Sequence, residues 1–394
     1  MSGVHIRIVC VSLAFAFLRT AAPAQSAGPE VVGYVFPRDA ALQPGQIEPS
    51  RLTRINYAFA NIADGRLVTG YARDAENFAS LAALRKQNPK LKILVSAGGW
   101  LWSTNFSDVA LTAGSRKIFI DSTMDFLARY DLDGLDVDWE YPGMEGAGHL
   151  FRPEDKENFT ALMKELRARF GLESAKTGRR LYLTMAAGAS KEFLQHTEMK
   201  KVQKYVDSVN LMTYDFVNPA SDPATGHDAP LYANPAAPLL VSADDTVRTF
   251  LGAGVPAAKL YLGIPFYGRV WSDVADINHG LFQPGKQAAE SWATYQVVAT
   301  KMLDKAHSDQ GFERYWDAKA GVPWIYNAKE RTFVTYEDPE SITGKCNYVL
   351  EHRLGGVMFW EYTNDPGGSL LGAIDAALHK SPDAPHTAKN NHGR

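Results

Sequence analysis

The chain has 394 residues and a formal net charge of −3 at pH 7, with 45% hydrophobic and 22% charged residues. These fractions are ordinary for a globular protein, and the length suits one large barrel-type domain or two smaller ones. Because there is no excess of positive charge, we expect neither nucleic acid nor an anionic membrane as a partner.

The first 24 residues are typical of a signal peptide. A weakly positive start precedes an apolar run over 8–18 that is too short to cross a bilayer, and Ala22–Pro23–Ala24 fits a small-x-small cleavage site. We expect cleavage near Ala24 and a secreted protein, extracellular or periplasmic; a short membrane anchor is the alternative. Cleavage removes Cys10 and leaves Cys346 alone, so we expect no disulfide and no zinc cluster in the mature chain.

Eight apolar runs after this segment predict β-strands. Most are near-continuous runs of Val, Ile, Leu and aromatic residues, as expected of strands that are buried on both faces of a parallel sheet. The predicted strands span 31–36, 54–60, 91–97, 132–140, 180–187, 206–214, 259–267 and 355–360.

Between the strands, apolar residues recur at spacings of three and four, which is the pattern of an amphipathic helix. Pro153 and Gly171 bound one of these segments as start and stop signals. The predicted helices span 74–87, 115–130, 154–170, 195–205, 243–252, 339–353 and 368–378. Eight strands in alternation with helices predict an α/β fold, a TIM (β/α)8 barrel over 25–379.

The alternation breaks once, between the seventh and eighth predicted strands. Residues 270–336 are rich in tryptophan and tyrosine and are too many for a structureless loop, so we expect a small α/β insertion there. Residues 380–394 are rich in Pro, His, Asn and Lys, and we expect this tail to be disordered.

Three acids occupy alternate positions on the fourth predicted strand. Since side chains alternate along a strand, Asp136, Asp138 and Glu140 share one face, while Asp133 and the apolar residues between the acids lie on the other. Stacked like charges repel unless they share protons, and this raises one pKa enough to give an acid at neutral pH. The alternatives are a solvated acidic edge and a divalent-cation site, although calcium loops use Gly and Asn turns instead of Val and Trp.

Aromatic, acidic and small residues also end the other predicted strands, which is where TIM barrels hold their active sites. Aromatic faces pack on pyranose rings, and acids and amides bind hydroxyl groups, so the set favours a sugar site. Taken singly, several of these residues would also suit an ordinary turn, a strand end or the core. The whole set of strand-end residues is Tyr34, Phe59, Ser96, Gly98, Gly99, Trp100, Tyr141, Met212, Tyr214, Asp215, Tyr267, Arg269 and Trp360.

The pattern Asp-x-x-Asp-x-Asp-x-Glu over 133–140 resembles the signature of glycoside hydrolase family 18, the chitinases, including the Gly after the first Asp and the Tyr after the Glu. Ser96-x-Gly98-Gly99 resembles the second signature of that family, on the third strand. The resemblance covers nearly all of 31–379, and the insertion is similar to one that walls the substrate cleft in a bacterial-type subgroup. The chain departs at 216–219, Phe-Val-Asn-Pro, where many relatives have a small residue and Gly.

The resemblance implies roles for the matching residues. Glu140 matches the proton donor, and Asp138 matches the acid that orients the substrate N-acetyl group and shares a proton with Asp136. Tyr214 matches the hydroxyl that binds the acetyl carbonyl. Asp215 and Met212 match residues that line the same subsite, and Trp360 matches its aromatic floor. Tyr34 and Ser96 match residues around Asp136, and Trp100 and Tyr141 match residues near the leaving-group sugar. The matches along the rest of the cleft are Gly98, Gly99, Tyr267, Arg269 and Phe59, and the family often has cis peptide bonds at the Phe59 and Trp360 positions.

The implied activity is hydrolysis of β-1,4 linkages in chitin with retention, the 2-acetamido group of the substrate being the nucleophile. We expect a monomer that binds chitin or chito-oligosaccharides without cofactor or metal, since no histidine pair has ligand spacing. The alternatives are a chitin-binding lectin, which typically lacks the acid at the Glu140 position, and a hydrolase of another N-acetylglucosamine polymer such as peptidoglycan or the N-glycan core. A serine hydrolase is disfavoured because no Gly-x-Ser-x-Gly elbow is present.

Overall fold

The structure, a computed structural model, describes residues 28–304 and 311–379. The predicted signal peptide and the predicted C-terminal tail lie outside these residues. Within the two ranges, no helix combines the length and the apolar character that a membrane crossing requires.

The strands of the described residues form a barrel and a separate antiparallel sheet. In chain order they are β1 (Glu30–Val35), β2 (Arg54–Ala63), β3 (Arg66–Val68), β4 (Lys92–Gly98), β5 (Gly134–Asp138), β6 (Tyr182–Gly188), β7 (Ser208–Met212), β8 (Leu260–Pro265), β9 (Tyr267–Ser272), β10 (Lys286–Thr294), β11 (Phe312–Asp317), β12 (Val322–Asn327), β13 (Thr332–Thr335) and β14 (Gly356–Trp360).

Eight of these strands pair in parallel in the order β1-β14-β8-β7-β6-β5-β4-β2, and a further pairing between β1 and β2 closes the barrel. The strands are apolar along most of their length because helices cover their outer face and neighbouring side chains fill the barrel. Every residue of β8, for example, is buried. The predicted TIM barrel is therefore confirmed, with its eight strands at the predicted places.

Helices surround the barrel. In chain order they are α1 (Asp74–Ala83), α2 (Phe106–Leu111), α3 (Ala113–Arg129), α4 (Asp155–Thr177), α5 (Lys191–Gln195), α6 (Met199–Val202), α7 (Ala243–Gly252), α8 (Tyr295–Val297), α9 (Pro339–Glu351) and α10 (Ser369–Leu378).

Two helix predictions are wrong in extent. Helix α4 continues through Gly171, which has open space around it, and ends at Gly178, whose φ of 73° provides a left-handed C-cap. A single helix predicted over 195–205 is instead the pair α5 and α6. Ser190 starts α5 early by capping the Phe193 N–H, and α5 ends where Thr197 turns its hydroxyl back onto the Phe193 carbonyl.

An insertion follows the seventh barrel strand, β8, as predicted. Strand β9 begins one residue after β8 and belongs to a five-stranded antiparallel sheet of order β10-β9-β13-β12-β11. Its described part is mostly strand, with one helical segment in which α8 continues into a π-helix over Val298–Met302. Trp271, Phe333 and Trp324 are buried in a core of its own, while β10 pairs Trp292 with Arg269 beside the barrel mouth.

Strand β5 shows the alternation that the sequence predicted. Leu135, Val137 and Trp139 are buried in the core between the barrel and its helices, where Trp139 stacks on Phe106 with ring centroids 5.4 Å apart. The acids between them point into the barrel. A solvated acidic edge is therefore excluded.

Asp133 precedes β5, at the end of the strand away from Glu140. It has a structural role, as its position on the face opposite the ladder acids suggested. It accepts 2.7 Å hydrogen bonds from Arg85 and from Arg179 and a 2.9 Å bond from the N–H of Ile93. Although burial opposes ionisation, these hydrogen bonds lower the pKa of Asp133.

Candidate active site

A cleft of about 860 Å³ opens at the carboxyl ends of the barrel strands. Its size and its largely aromatic walls suit a small chain of sugar rings. Asp136, Ser96 and Gly99 are the predicted site residues that do not line it. Those that do are Tyr34, Phe59, Gly98, Trp100, Asp138, Glu140, Tyr141, Met212, Tyr214, Asp215, Tyr267, Arg269 and Trp360.

Asp136 lies beneath the cleft, fully buried, and its carboxylate is held by donors from four different barrel strands. Oδ2 accepts from Tyr34 Oη at 2.7 Å and Ser96 Oγ at 2.8 Å, and Oδ1 accepts from Thr184 Oγ1 at 2.5 Å and Asn210 Nδ2 at 3.2 Å. A carboxylate has about four acceptor positions. Asp136 is therefore saturated as an acceptor, and the neighbouring acid along the strand is in a different environment.

That neighbour is Asp138, which is 4% exposed and whose Oδ1 atom has no hydrogen-bond partner among the described residues. Burial, followed by the charges of Glu140 and Asp136, raises the pKa of Asp138 well above its ordinary value. An unpaired buried carboxyl oxygen is costly. Asp138 is therefore poised to carry a proton or to accept an N–H from a bound ligand.

Glu140 follows the end of β5 and lines the cleft, 8% exposed. Its backbone N–H donates a 2.9 Å hydrogen bond to Ser103 Oγ, which in turn donates to the carbonyl of Asp138. Burial and the charge of Asp215 raise the pKa of Glu140 to about 7, against the opposing effect of a hydrogen bond from Tyr141. A carboxyl group with this pKa can act as a general acid at neutral pH.

Tyr214 follows β7 and faces the same acids. Burial, then the negative charges of Asp138 and Asp215, raises its pKa well above the ordinary value. The hydroxyl lies 4.0 Å from the Sδ atom of Met358, a weak acceptor. Tyr214 therefore stays protonated and keeps a hydrogen-bond donor available to a ligand in the cleft.

Asp215, next to Tyr214, is tied to the insertion. Its backbone adopts a left-handed φ of 56°. The carboxylate accepts a 2.8 Å hydrogen bond from Tyr267 Oη, and Arg269 donates to it through Nε at 3.0 Å and through Nη2 at 2.5 Å. The negative charge of Asp215 is consequently compensated and held in position by the insertion.

Aromatic rings form one side of the cleft. Trp360, at the end of β14, stacks on Phe59 with ring centroids 5.5 Å apart and an interplanar angle of 22°, and it lies 5.5 Å from Phe36 and 5.7 Å from Tyr34. Cis peptide bonds precede Phe59 and follow Trp360, at the two positions that the resemblance indicated, and a third joins Glu140 to Tyr141. This face can pack on a sugar ring.

The two glycines at the carboxyl end of β4 have different surroundings: Gly98 is its last residue and Gly99 follows it. Gly98 lines the cleft with a φ of 104°, and a Cβ atom there would lie 2.2 Å from the Asp138 carbonyl oxygen. Gly99 is not among the residues that line the cleft. The ring of Phe59 covers it, 2.5 Å from where its Cβ atom would be. Trp100, which follows, is 51% exposed at the cleft rim.

Sequence reasoning missed several residues of the site. Thr184 and Asn210 donate hydrogen bonds to the Asp136 carboxylate, and Ser103 bonds the backbone of Asp138 and Glu140. No local pattern marks these three residues, because each lies in a strand or a turn far from the acids in the sequence. The aromatic residues could have been found by extending the search for strand-end aromatics into the loops and the insertion. The further lining residues include Phe36, Tyr71, Trp102 and Trp292, together with the acid Asp222.

The residues do not point to a metal centre. Within 28–304 and 311–379, no group of three or more His, Cys, Asp and Glu residues is arranged to hold a metal ion. The ladder acids are instead arranged for proton transfer: Asp136 accepts four hydrogen bonds, Asp138 carries a raised pKa, and Glu140 has a pKa of about 7.

Comparisons with known proteins agree with this geometry. Chitinase A1 of Niallia circulans is 36% identical over 411 aligned positions, which cover 89% of this chain and 58% of the relative. Chitotriosidase-1 of Mus musculus is 33% identical, covering 82% of this chain and 68% of the relative. This chain thus spans less than two thirds of chitinase A1.

Solved structures show the same fold. The multi-modular chitinase ChiW of Paenibacillus sp. superimposes with a TM-score of 0.83 at 36% identity, over 90% of this chain and 43% of that chain. A family 18 N-acetylglucosaminidase of Paenibacillus barengoltzii gives a TM-score of 0.80 at 37% identity, over 89% of this chain and all of that chain. Residues 30–365 match the family model described as Glycosyl hydrolases family 18, and the chain belongs to that family.

Proposed function

We propose that this protein is a chitinase that hydrolyses β-1,4 linkages between N-acetylglucosamine units with retention, using the 2-acetamido group of the substrate as nucleophile. The observation that carries the proposal is the arrangement of Glu140, Asp138 and Tyr214 in one cleft. Glu140 is an acid with a pKa of about 7. Among the described residues, Asp138 Oδ1 has no partner, and the Tyr214 hydroxyl contacts only a weakly accepting sulfur, Met358 Sδ, at 4.0 Å. Together they match the leaving oxygen, the N–H and the carbonyl of one N-acetylated sugar.

In the first step, Glu140 gives its proton to the glycosidic oxygen as the bond from that oxygen to the anomeric carbon breaks. The acetamido carbonyl oxygen forms a new bond to the anomeric carbon, and an oxazolinium ion results. Asp138 accepts the acetamido N–H and stabilises the positive charge that develops there. Tyr214 donates to the carbonyl oxygen and holds it in line.

In the second step, the Glu140 carboxylate takes a proton from a water molecule as the water oxygen attacks the anomeric carbon. The bond from that carbon to the acetamido oxygen breaks, and the N-acetyl group is restored. Two inversions at the same carbon give net retention. Glu140 regains its proton, so the enzyme returns to its starting state.

A carboxylate nucleophile is the competing scheme, and it would need a second free acid across the bond from Glu140. Asp138 is on the same strand as Glu140, two residues away. Asp215 is on another wall, but Tyr267 and Arg269 hold its carboxylate. Asp138 is thus better placed to hold the acetamido group, and Asp215 to raise the pKa of Glu140, than either is to attack the anomeric carbon. This favours the acetamido oxygen as the nucleophile.

The test is product analysis on three polymers in parallel: chitin oligomers, fully deacetylated chitosan and peptidoglycan. We expect shorter chito-oligosaccharides from the first and none from chitosan, because chitosan lacks the acetamido nucleophile. Binding of chitin oligomers without any product would instead indicate a lectin. Faster release from peptidoglycan than from chitin oligomers would reassign the substrate. Cleavage of fully deacetylated chitosan would contradict the mechanism.

A further inference from the structure

A buried acid that the proposed mechanism does not use lies behind Asp215. Asp228, in the segment between β7 and α7, is 1% exposed, and neither of its carboxyl oxygens has a hydrogen-bond partner among the described residues. Its closest cation is Arg269, whose Nε atom lies 3.8 Å from Oδ1, beyond hydrogen-bond distance. A buried carboxylate with no donor is costly, so this environment favours the neutral acid.

The backbone holds the Asp228 carboxyl group beside Asp215. The N–H of Asp228 donates a 3.0 Å hydrogen bond to Thr335 Oγ1, and its carbonyl accepts a 3.0 Å bond from the N–H of Phe216, the residue after Asp215. Arg269 Nε lies 3.0 Å from Asp215 Oδ1 and 3.8 Å from Asp228 Oδ1, so the two carboxyl groups lie side by side on one cation, where a hydrogen bond between them can form. Two carboxylates cannot form one, since neither has a donor, whereas one proton between them can.

We propose that Asp228 is a positioning residue that carries a proton and donates it in a hydrogen bond to Asp215, so that the two acids together hold a single negative charge. The Asp215 carboxylate then has three donors: Tyr267, Arg269 and Asp228. The proton also removes the cost of the unpaired Asp228 oxygens, and Arg269 balances the one charge that is left.

The groups that face Asp228 agree with a neutral acid. They are Asp215 after β7, Tyr267 and Arg269 on β9, Thr335 on β13, and Glu337, which pairs with Lys345 on α9. Burial, followed by the charge of Asp215, raises the pKa of Asp228 well above its ordinary value, and Arg269 acts in the opposite direction.

This proton matters for the chemistry because the charge of Asp215 helps to raise the pKa of Glu140. A hydrogen bond from Asp228 spreads that charge over two carboxyl groups and keeps Asp215 in place. Removing the donor concentrates the charge on Asp215 and strengthens its effect on Glu140. Asp228 thus acts on the acid through Asp215, although it does not line the cleft.

The kinetic test compares the wild type, Asp228→Ala and Asp228→Asn on 4-nitrophenyl diacetylchitobioside between pH 4 and pH 9. In Asp228→Ala the alkaline limb of kcat/KM should move to higher pH by about 0.5 unit, since Glu140 then keeps its proton longer. Asp228→Asn retains a donor to Asp215 and should restore the wild-type limb. If the alkaline limb of kcat/KM moves to lower pH in Asp228→Asn, Asp228 is ionised in the wild type. If the limb does not move in Asp228→Ala, Asp228 does not act on Glu140. Either result overturns the proposal.

Infrared spectroscopy tests the proton itself and does not require activity, whereas the kinetic comparison rests on the proposed function. Protein labelled with 13C at the aspartate carboxyl groups should lose intensity in the protonated-carboxyl band on Asp228→Asn. The control is Asp317→Asn. Asp317 is also buried, but its carboxylate accepts a 2.6 Å hydrogen bond from Asn234 and lies 2.9 Å from His227, so it is ionised. Its replacement should therefore leave the protonated-carboxyl band unchanged. An unchanged band in Asp228→Asn overturns the proposal. A wild type that leaves chitobioside intact would contradict the proposed function alone.

Discussion

The hydroxyl of Tyr34 on β1 donates a 2.7 Å hydrogen bond to Asp136 on β5, across the barrel and 102 residues away in the sequence. Ser96, Thr184 and Asn210 complete the set of donors that surround the charge of Asp136 below the cleft. That charge helps to raise the pKa of Asp138. The three ladder acids thus differ because their surroundings differ: Asp136 accepts four hydrogen bonds, the pKa of Asp138 is raised well above its ordinary value, and the pKa of Glu140 is raised to about 7.

The first prediction concerns the acid. Glu140→Gln keeps the shape of the side chain and removes its proton, so turnover of chitin oligomers should fall by about 10²–10⁴-fold while their binding persists. Initial rates and calorimetric titration measure the two effects separately. Glu145→Gln, an exposed neighbour outside the cleft lining, is the matched control and should keep the wild-type rate. A variant at Glu140 with a tenth of wild-type turnover would refute the assignment.

The second prediction is the pH dependence. Burial and the charge of Asp215 raise the pKa of Glu140 to about 7, and the proposed role requires its protonated form. Activity should therefore be present below that pH and fall about tenfold per pH unit above it. The alkaline limb of kcat/KM reports the free enzyme and measures this directly. A limb centred near the ordinary carboxyl pKa would mean that Glu140 is not the titrating acid.

The third prediction concerns Asp138. Asp138→Asn should lower kcat strongly, because the amide cannot stabilise the developing charge on the acetamido N–H as a carboxylate does. It should also change the pH profile, because the charge of Glu140 helps to raise the pKa of Asp138 and the variant removes this coupled group. The measurement is the pH profile of kcat and of kcat/KM. An unchanged rate and profile would exclude coupling between the two acids.

Periodicity in the sequence predicted most of the fold. The eight barrel strands are apolar runs, and the insertion is where the alternation of strands and helices breaks. The acid ladder follows from the two-residue repeat of a strand, which also placed Trp139 in the core and Asp136 under the cleft. Helix ends were less certain because a glycine is a stop signal only in the right surroundings. Gly171 has open space and lies within α4, whereas Gly178 ends it.

The electrostatic detail of the site was not predictable from local patterns. Thr184 and Asn210 reach Asp136 from strands 48 and 74 positions away, and nothing in their own neighbourhoods marks them as partners of an acid. Asp228 is equally unmarked: its significance comes from a missing donor, which only a three-dimensional structure reveals. Gly99 was assigned by its motif, but the ring of Phe59 covers it.

The fourth prediction separates two reasons for a glycine. Gly98→Ala should destabilise the protein by about 2–5 kcal/mol, because the backbone is left-handed and the new Cβ atom would lie only 2.2 Å from the Asp138 carbonyl oxygen. Gly148→Ala is the matched control: its φ is 73°, but no atom lies within 4 Å, so it should cost only about 1 kcal/mol. Denaturant midpoints measure both. Equal losses would show that backbone strain alone requires Gly98.

The last prediction distinguishes an acetamido nucleophile from an enzyme carboxylate. Asp138 lies on the same strand as Glu140, and Asp215 is held by Tyr267 and Arg269, so the substrate itself should supply the attacking oxygen. Partly deacetylated chitin should then be cut only where N-acetylglucosamine lies on the non-reducing side of the bond. Every new reducing end should be acetylated, and the product should appear first as the β-anomer. Mass spectrometry of the reducing ends and early-time NMR follow these two properties. Frequent glucosamine at new reducing ends would point to a carboxylate nucleophile, and an initial α-anomer would exclude retention altogether.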